Sequence, residues 1–117
     1  MKKKKILIAD DDPVTVALVS GGLLGCGFEV VTAKDGPEAM EKAKATMPDV
    51  IIMDVTMPGL NGIEATRRIM ESLPATRVIG LSMHEEVDMA AAMREAGAIA
   101  YLPKGGPVDA LISAIRA

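Results

Sequence analysis

Five short apolar runs punctuate the chain: Lys5–Ala9, Glu29–Thr32, Val50–Asp54, Arg77–Leu81 and Ala98–Leu102. Runs this short, bounded by loop residues, read as buried strands of a parallel sheet. Helical period fills the gaps. Val14, Ala17, Leu18, Gly21 and Leu24 fall at i, i+3, i+4, i+7 and i+10, as one buried helix face would. Gly36-Pro37 opens a second helix with Ala39, Met40, Ala43 and Met47 inward, and Pro48 stops it. Ile63, Thr66, Met70 and Leu73 form a third stripe before Pro74. Glu85–Ala96 forms a fourth helix closed by Gly97, and Val108, Leu111, Ile112 and Ile115 make the last stripe. Five βα units joined by short loops predict a three-layer α/β sandwich, with right-handed crossovers placing helices on both faces of the sheet. The first helix is the weak element. Gly21 and Gly22 cost it about 1 kcal/mol each relative to Ala, and close packing against the sheet is the expected reason for them.

Composition narrows the picture. At 117 residues, with no linker, repeat or low-complexity segment, one domain over residues 1–117 is expected, large enough for a real core. Half the residues are hydrophobic but only 2% are aromatic, so the core must be aliphatic with Met as filler. A net charge of −3 argues against a nucleic-acid-binding domain. Lys2-Lys3-Lys4-Lys5, the one basic cluster, reads as a solvated lead-in to the first strand. The apolar stretch behind it is too short for a signal peptide. The uncharged stretch from residue 13 to 28 is broken by glycines and is shorter than a membrane span needs. A cytoplasmic location is the default expectation. Cys26, alone, has no disulfide or metal-ligand companion, and packing is its expected role.

The chemistry gathers at strand ends. Asp10-Asp11-Asp12 follows the first strand, Asp54 closes the third, Ser82 follows the fourth and Lys104 the fifth. In open α/β sheets the ligand site lies beyond the carboxyl ends of the strands, so these groups share one edge. Clustered carboxylates repel one another unless a cation neutralises them. Two or three carboxylates with water suit Mg²⁺, while a lysine and a hydroxyl beside them suit phosphoryl oxygens. A carboxylate there is a candidate nucleophile toward phosphorus. Asp12, ahead of Pro13, reads as a helix cap.

The ordered set resembles the receiver domain of bacterial response regulators. It is carried by Asp10-Asp11, by Asp54-Val55-Thr56-Met57-Pro58-Gly59-Leu60-Asn61-Gly62, by Ser82 and by Tyr101-Leu102-Pro103-Lys104. The resemblance implies a flavodoxin-like fold with strand order 2-1-3-4-5. It implies Asp54 as the acceptor of a phosphoryl group from a sensor histidine kinase or histidine phosphotransfer protein. Asp11, Asp54 and the backbone carbonyl of Thr56 would ligate Mg²⁺, with Asp10 acting through water. Lys104 would pair with Asp54 and then with the phosphoryl oxygens. Ser82 would bond the phosphoryl group, and Tyr101 would be the switch aromatic, a half-buried core tyrosine being the rival reading. A homodimer through helix 4, strand 5 and helix 5 is the family-level expectation, with no direct nucleic-acid or membrane partner.

Three departures from the common family pattern stand out. Gly105 rather than proline follows Lys104, so a cis bond there is not implied. Met83 is bulkier than the usual small residue, and Thr56 and His84 hold positions that tune acyl-phosphate lifetime in the family. His84 itself reads as a solvent-exposed loop residue rather than a catalytic group. The expected function is a signalling switch with self-catalysed phosphorylation and hydrolysis and no separate substrate. Such a switch is a stand-alone regulator or a receiver excised from a larger regulator or hybrid kinase. One rival is a small Mg²⁺-dependent phosphatase, which would want a second acid where Thr56 stands. The other is a receiver-like module that is never phosphorylated.

Overall fold

The computed structural model describes residues 3–55, 61–82 and 87–117, with Ser82, Val87 and Asp88 described in their backbone alone. Strands β1 (Lys5–Ala9), β2 (Glu29–Ala33), β3 (Val50–Asp54), β4 (Arg77–Ser82) and β5 (Ala100–Pro103) alternate with helices. These are α1 (Pro13–Gly25), α2 (Gly36–Thr46), α3 (Gly62–Ser72), α4 (Val87–Ala96) and α5 (Val108–Arg116). All strand pairings are parallel, in the order β2-β1-β3-β4-β5. This is the predicted sandwich. The fifth strand starts later than Ala98 because the Ala98 N–H still donates to the Met93 carbonyl, closing α4. The stretch Glu85–Glu86, expected in the fourth helix, lies outside the described residues.

Alternation along the strands divides the core in two. Leu7, Ala9, Ile51, Met53 and Val78 pack with Ala39, Ala43, Ala65, Ile69 and Met93 on the α2–α3–α4 side. Ile6, Ile8, Val50, Ile52, Ile79 and Leu81 pack with Val19, Leu23, Leu111 and Ile115 on the α1–α5 side. This is the period-2 consequence of strand geometry with both sheet faces covered.

The inward face of α1 differs from the expectation. Val19 and Leu23 are the buried residues, whereas Val14, Leu18 and Leu24 are 65%, 67% and 59% exposed. Residues 14 to 24 are apolar nearly all round, so periodicity alone has no polar face against which to orient the helix. Met47 also turns outward, as the left-handed cap of α2 at φ 49°. Cys26 is exposed, at the cap of α1, rather than packed. Gly22 faces α5 rather than the sheet: a Cβ there would meet Val108 Cγ1 at 2.8 Å. The lysines do more than lead in. Lys4 Nζ donates to the Ile115 carbonyl and Lys5 Nζ to the Thr46 carbonyl, at the carboxyl ends of α5 and α2. Cations are favoured at those helix ends.

Candidate functional site

Strand register assembles the site. Ala9 pairs with Met53, which sets Asp10 abreast of Asp54. The Asp10 N–H donates to the Ala33 carbonyl at 2.9 Å, extending the β1–β2 pairing one residue beyond the strand. On the other side Asp54 pairs with Leu81 and Ser82 with Pro103, which brings Lys104 to the same edge. The Lys104 ammonium lies 3.0 Å from Asp54 Oδ2, 3.0 Å from Asp10 Oδ2 and 3.1 Å from Asp10 Oδ1. All three side chains are buried, Lys104 at 7% exposed and the carboxylates at less. Burial alone would lower the lysine's pKa. Its hydrogen bonds to Asp10 and Asp54, with their negative charge, outweigh that, and the net direction is upward.

Asp11 is exposed at the mouth of this cluster, and oxygens of Asp10, Asp11 and Asp54 lie within 4.8 Å of one another. Three carboxylates face one ammonium, so negative charge is left over. Few carboxylates, hard oxygen donors and one solvent-facing member fit Mg²⁺, which keeps several waters. Asp12 is apart from this set. Its Oδ1 accepts from the Val14 N–H and its Oδ2 from the Thr15 hydroxyl, and these bonds hold its carboxyl below the usual range. It caps α1, as expected. The Ser82 side chain, the Thr56 carbonyl, Met83 and His84 lie outside the described residues.

Two glycines that carry the geometry have no signal of that role in the sequence. The first is Gly62, behind the Asn61 cap of α3. A Cβ there would stand 2.2 Å from the Asp54 carbonyl oxygen and 2.9 Å from Val55 Cα, both main-chain atoms. Only glycine lets α3 start against the strand end that presents Asp54. Gly62→Ala is expected to destabilise the domain by about 1–3 kcal/mol, the usual cost of overpacking, read as a lower urea midpoint at unchanged slope. The second is Gly80, inside β4, where a glycine marks close approach. Tyr101 lies across it, half-buried against the α2–α3–α4 core.

A five-stranded parallel sheet with this strand order, and an acidic cluster and a lysine at its carboxyl edge, defines the class of CheY-like receiver domains. The family model "Response regulator receiver domain" matches residues 6–116, and the chain belongs to that family. Phosphorylation and Mg²⁺ are typical of it. The response regulator GacA of Pseudomonas syringae pv. syringae is 36% identical over 114 residues, covering 96% of this chain and 53% of that protein. The chain thus spans about half the length of the curated relatives it matches. Vibrio cholerae chemotaxis protein CheY4 superposes with a TM-score of 0.91 at 30% identity, covering 98% of both chains. A CheX–CheY–BeF3–Mg²⁺ complex from Borrelia burgdorferi matches at 0.89 and 29% identity, over 94% of this chain and 84% of that one. Among the described residues no helix is long and apolar enough to cross a membrane.

Proposed function

We propose that this chain, as one receiver unit over residues 1–117, is a phosphorylation-driven switch whose acceptor is Asp54. The observation that carries the reading is the buried Lys104 ammonium shared between Asp10 and Asp54 beside the exposed Asp11. An Asp54 oxygen attacks the phosphorus of a phosphohistidine on a sensor kinase or phosphotransfer protein. The P–N bond breaks, a P–O bond forms, and the imidazole leaves with the electron pair. Hydrolysis reverses the load: water attacks phosphorus, and inorganic phosphate and the Asp54 carboxylate return. Asp11, Asp54 and the Thr56 carbonyl would hold Mg²⁺, with Asp10 acting through water. That ion supplies the positive charge which lets one anion approach another. Lys104 turns from carboxylate to phosphoryl oxygen, Ser82 bonds the phosphoryl group, and Tyr101 moves with them, a population shift between two conformers.

The exposed apolar face of α1 suits the phosphodonor. Val14 and Leu18 lie one turn apart, starting beside Asp11 and Asp12, and their exposed side chains offer a partner apolar contacts next to the acceptor edge. Leu18→Glu is expected to slow phosphotransfer from a donor protein tenfold or more, about 1.4 kcal/mol, while uptake from acetyl phosphate stays unchanged. Equal rates with both donors for Leu18→Glu and wild type would remove α1 from the account. For self-association the α4–β5–α5 face remains the proposal, with Ile99 exposed between α4 and β5.

Beryllium fluoride with Mg²⁺ tests the switch as a whole. The chain has no Trp and one Tyr, so its tyrosine emission reads Tyr101 alone. That emission is expected to change when both reagents are present and to stay constant with either one, or in Asp54→Asn. A change in Asp54→Asn, or none in wild type, would overturn the reading. Turnover of many equivalents of a small phosphate ester would make the protein an enzyme instead.

A further inference from the structure

Gly80 sits in the middle of β4, buried, and pairs with Tyr101 on β5. A Cβ built on it would lie 2.7 Å from Tyr101 Cδ1, 3.3 Å from Cε1 and 3.0 Å from the Met93 methyl. The methyl ends a flexible chain and can turn aside. The ring is rigid and fixed to β5 by its backbone, so its way out is rotation about its own side-chain bonds. The Tyr101 hydroxyl is buried and has no hydrogen-bond partner among the described residues. A buried hydroxyl left unpaired is unfavourable, so hydrogen bonding does not hold the ring where it is. What holds it is volume: packing against the α2–α3–α4 core over a strand position that has no side chain.

We propose that Gly80 is a positioning residue of the switch: the bare backbone at this position is the seat of the Tyr101 ring, and it sets the ring's resting place on the sheet. Any side chain at 80 evicts the ring toward solvent. Tyr101 is three residues before Lys104 on the same strand and its following loop, so the seat sets where the aromatic starts when the site is loaded. The inference rests on the reading of Tyr101 as the switch aromatic and adds the residue that decides its position.

The test is Gly80→Ala in the full chain. Acrylamide quenching of tyrosine emission in the free protein is expected to rise above wild type, because the displaced ring meets solvent. Loading with Mg²⁺ and beryllium fluoride is followed separately by fluorine NMR, which does not depend on Tyr101, and is expected to persist. Unchanged quenching in a folded Gly80→Ala that still binds fluoride overturns the Gly80 inference alone. No bound fluoride signal in wild type overturns the receiver reading instead. Stability supplies a second arm. Gly80→Ala is expected to lower the urea midpoint clearly less in a Tyr101→Ala background than in wild type, since the ring it strikes is gone. Equal loss in both backgrounds contradicts the proposal. If Gly80→Ala alone does not fold, recovery in the double variant supports the seat and failure to recover overturns it.

Discussion

Lys104→Ala is expected to destabilise the domain by about 3 kcal/mol at neutral pH without Mg²⁺, the lower end of what breaking a buried pair costs. Its ammonium is the one cation within 3.1 Å of both Asp10 and Asp54 among the described residues. Removing it takes away the cation that faces these carboxylates among the described residues and leaves their mutual repulsion. The loss is placed at the lower end because Asp11 is exposed and admits water to the cluster. Mg²⁺ is therefore expected to raise the melting temperature of Lys104→Ala more than that of wild type. The same lysine predicts an alkaline limit. Its folded pKa is raised, so its stabilisation is fully present below the unfolded value of 10.5 and is lost as pH rises through the folded value. The gap between wild type and Lys104→Ala should close above that range. Equal midpoints for the two proteins at pH 7 in the absence of Mg²⁺ would contradict this account.

Asp54→Asn is expected to act in the opposite direction on stability and to abolish phosphoryl uptake. Asp54 is attracted by one ammonium at 3.0 Å and repelled by two carboxylates whose oxygens lie within 4.8 Å. Among the described residues these two carboxylates oppose the Asp54 charge at close range, and without Mg²⁺ their repulsion offsets the attraction of the ammonium. Burial of the charged Asp54 carboxylate adds to that cost. Asp54→Asn should thus melt higher than wild type in the absence of Mg²⁺ and gain less from adding it. A carboxylate whose removal stabilises the fold serves chemistry rather than packing. A variant that is clearly less stable than wild type would show that Asp54 holds the strand end together and would weaken that argument.

Much of this was legible in the chain. The strands announced themselves because both sheet faces are covered, so β1 and β3 read as unbroken apolar runs with an acid at the end. Topology then did the rest, since five parallel strand ends share one edge, and Asp10, Asp11, Asp54 and Lys104 meet there. The orientation of α1 was not legible. Periodicity locates a buried face by contrast with a polar one, and a helix carrying Val14, Leu18 and Leu24 outward offers no contrast. Gly62 and Gly80 were illegible for another reason. Their role is the absence of a Cβ near a particular atom, and that atom belongs to residues far away in sequence or across a strand pair. Residue type alone puts Cys26 inside, while its position at the end of α1 puts it in solvent.

Phosphoryl uptake by Asp54 is read by intact-mass measurement after incubation with acetyl phosphate. Wild type with Mg²⁺ is predicted to gain the mass of one phosphoryl group, to lose it on treatment with hydroxylamine, as an acyl phosphate must, and to gain nothing when a chelator removes the metal. A gain of the same mass by Asp54→Asn, or no gain by the wild-type protein, would contradict the account.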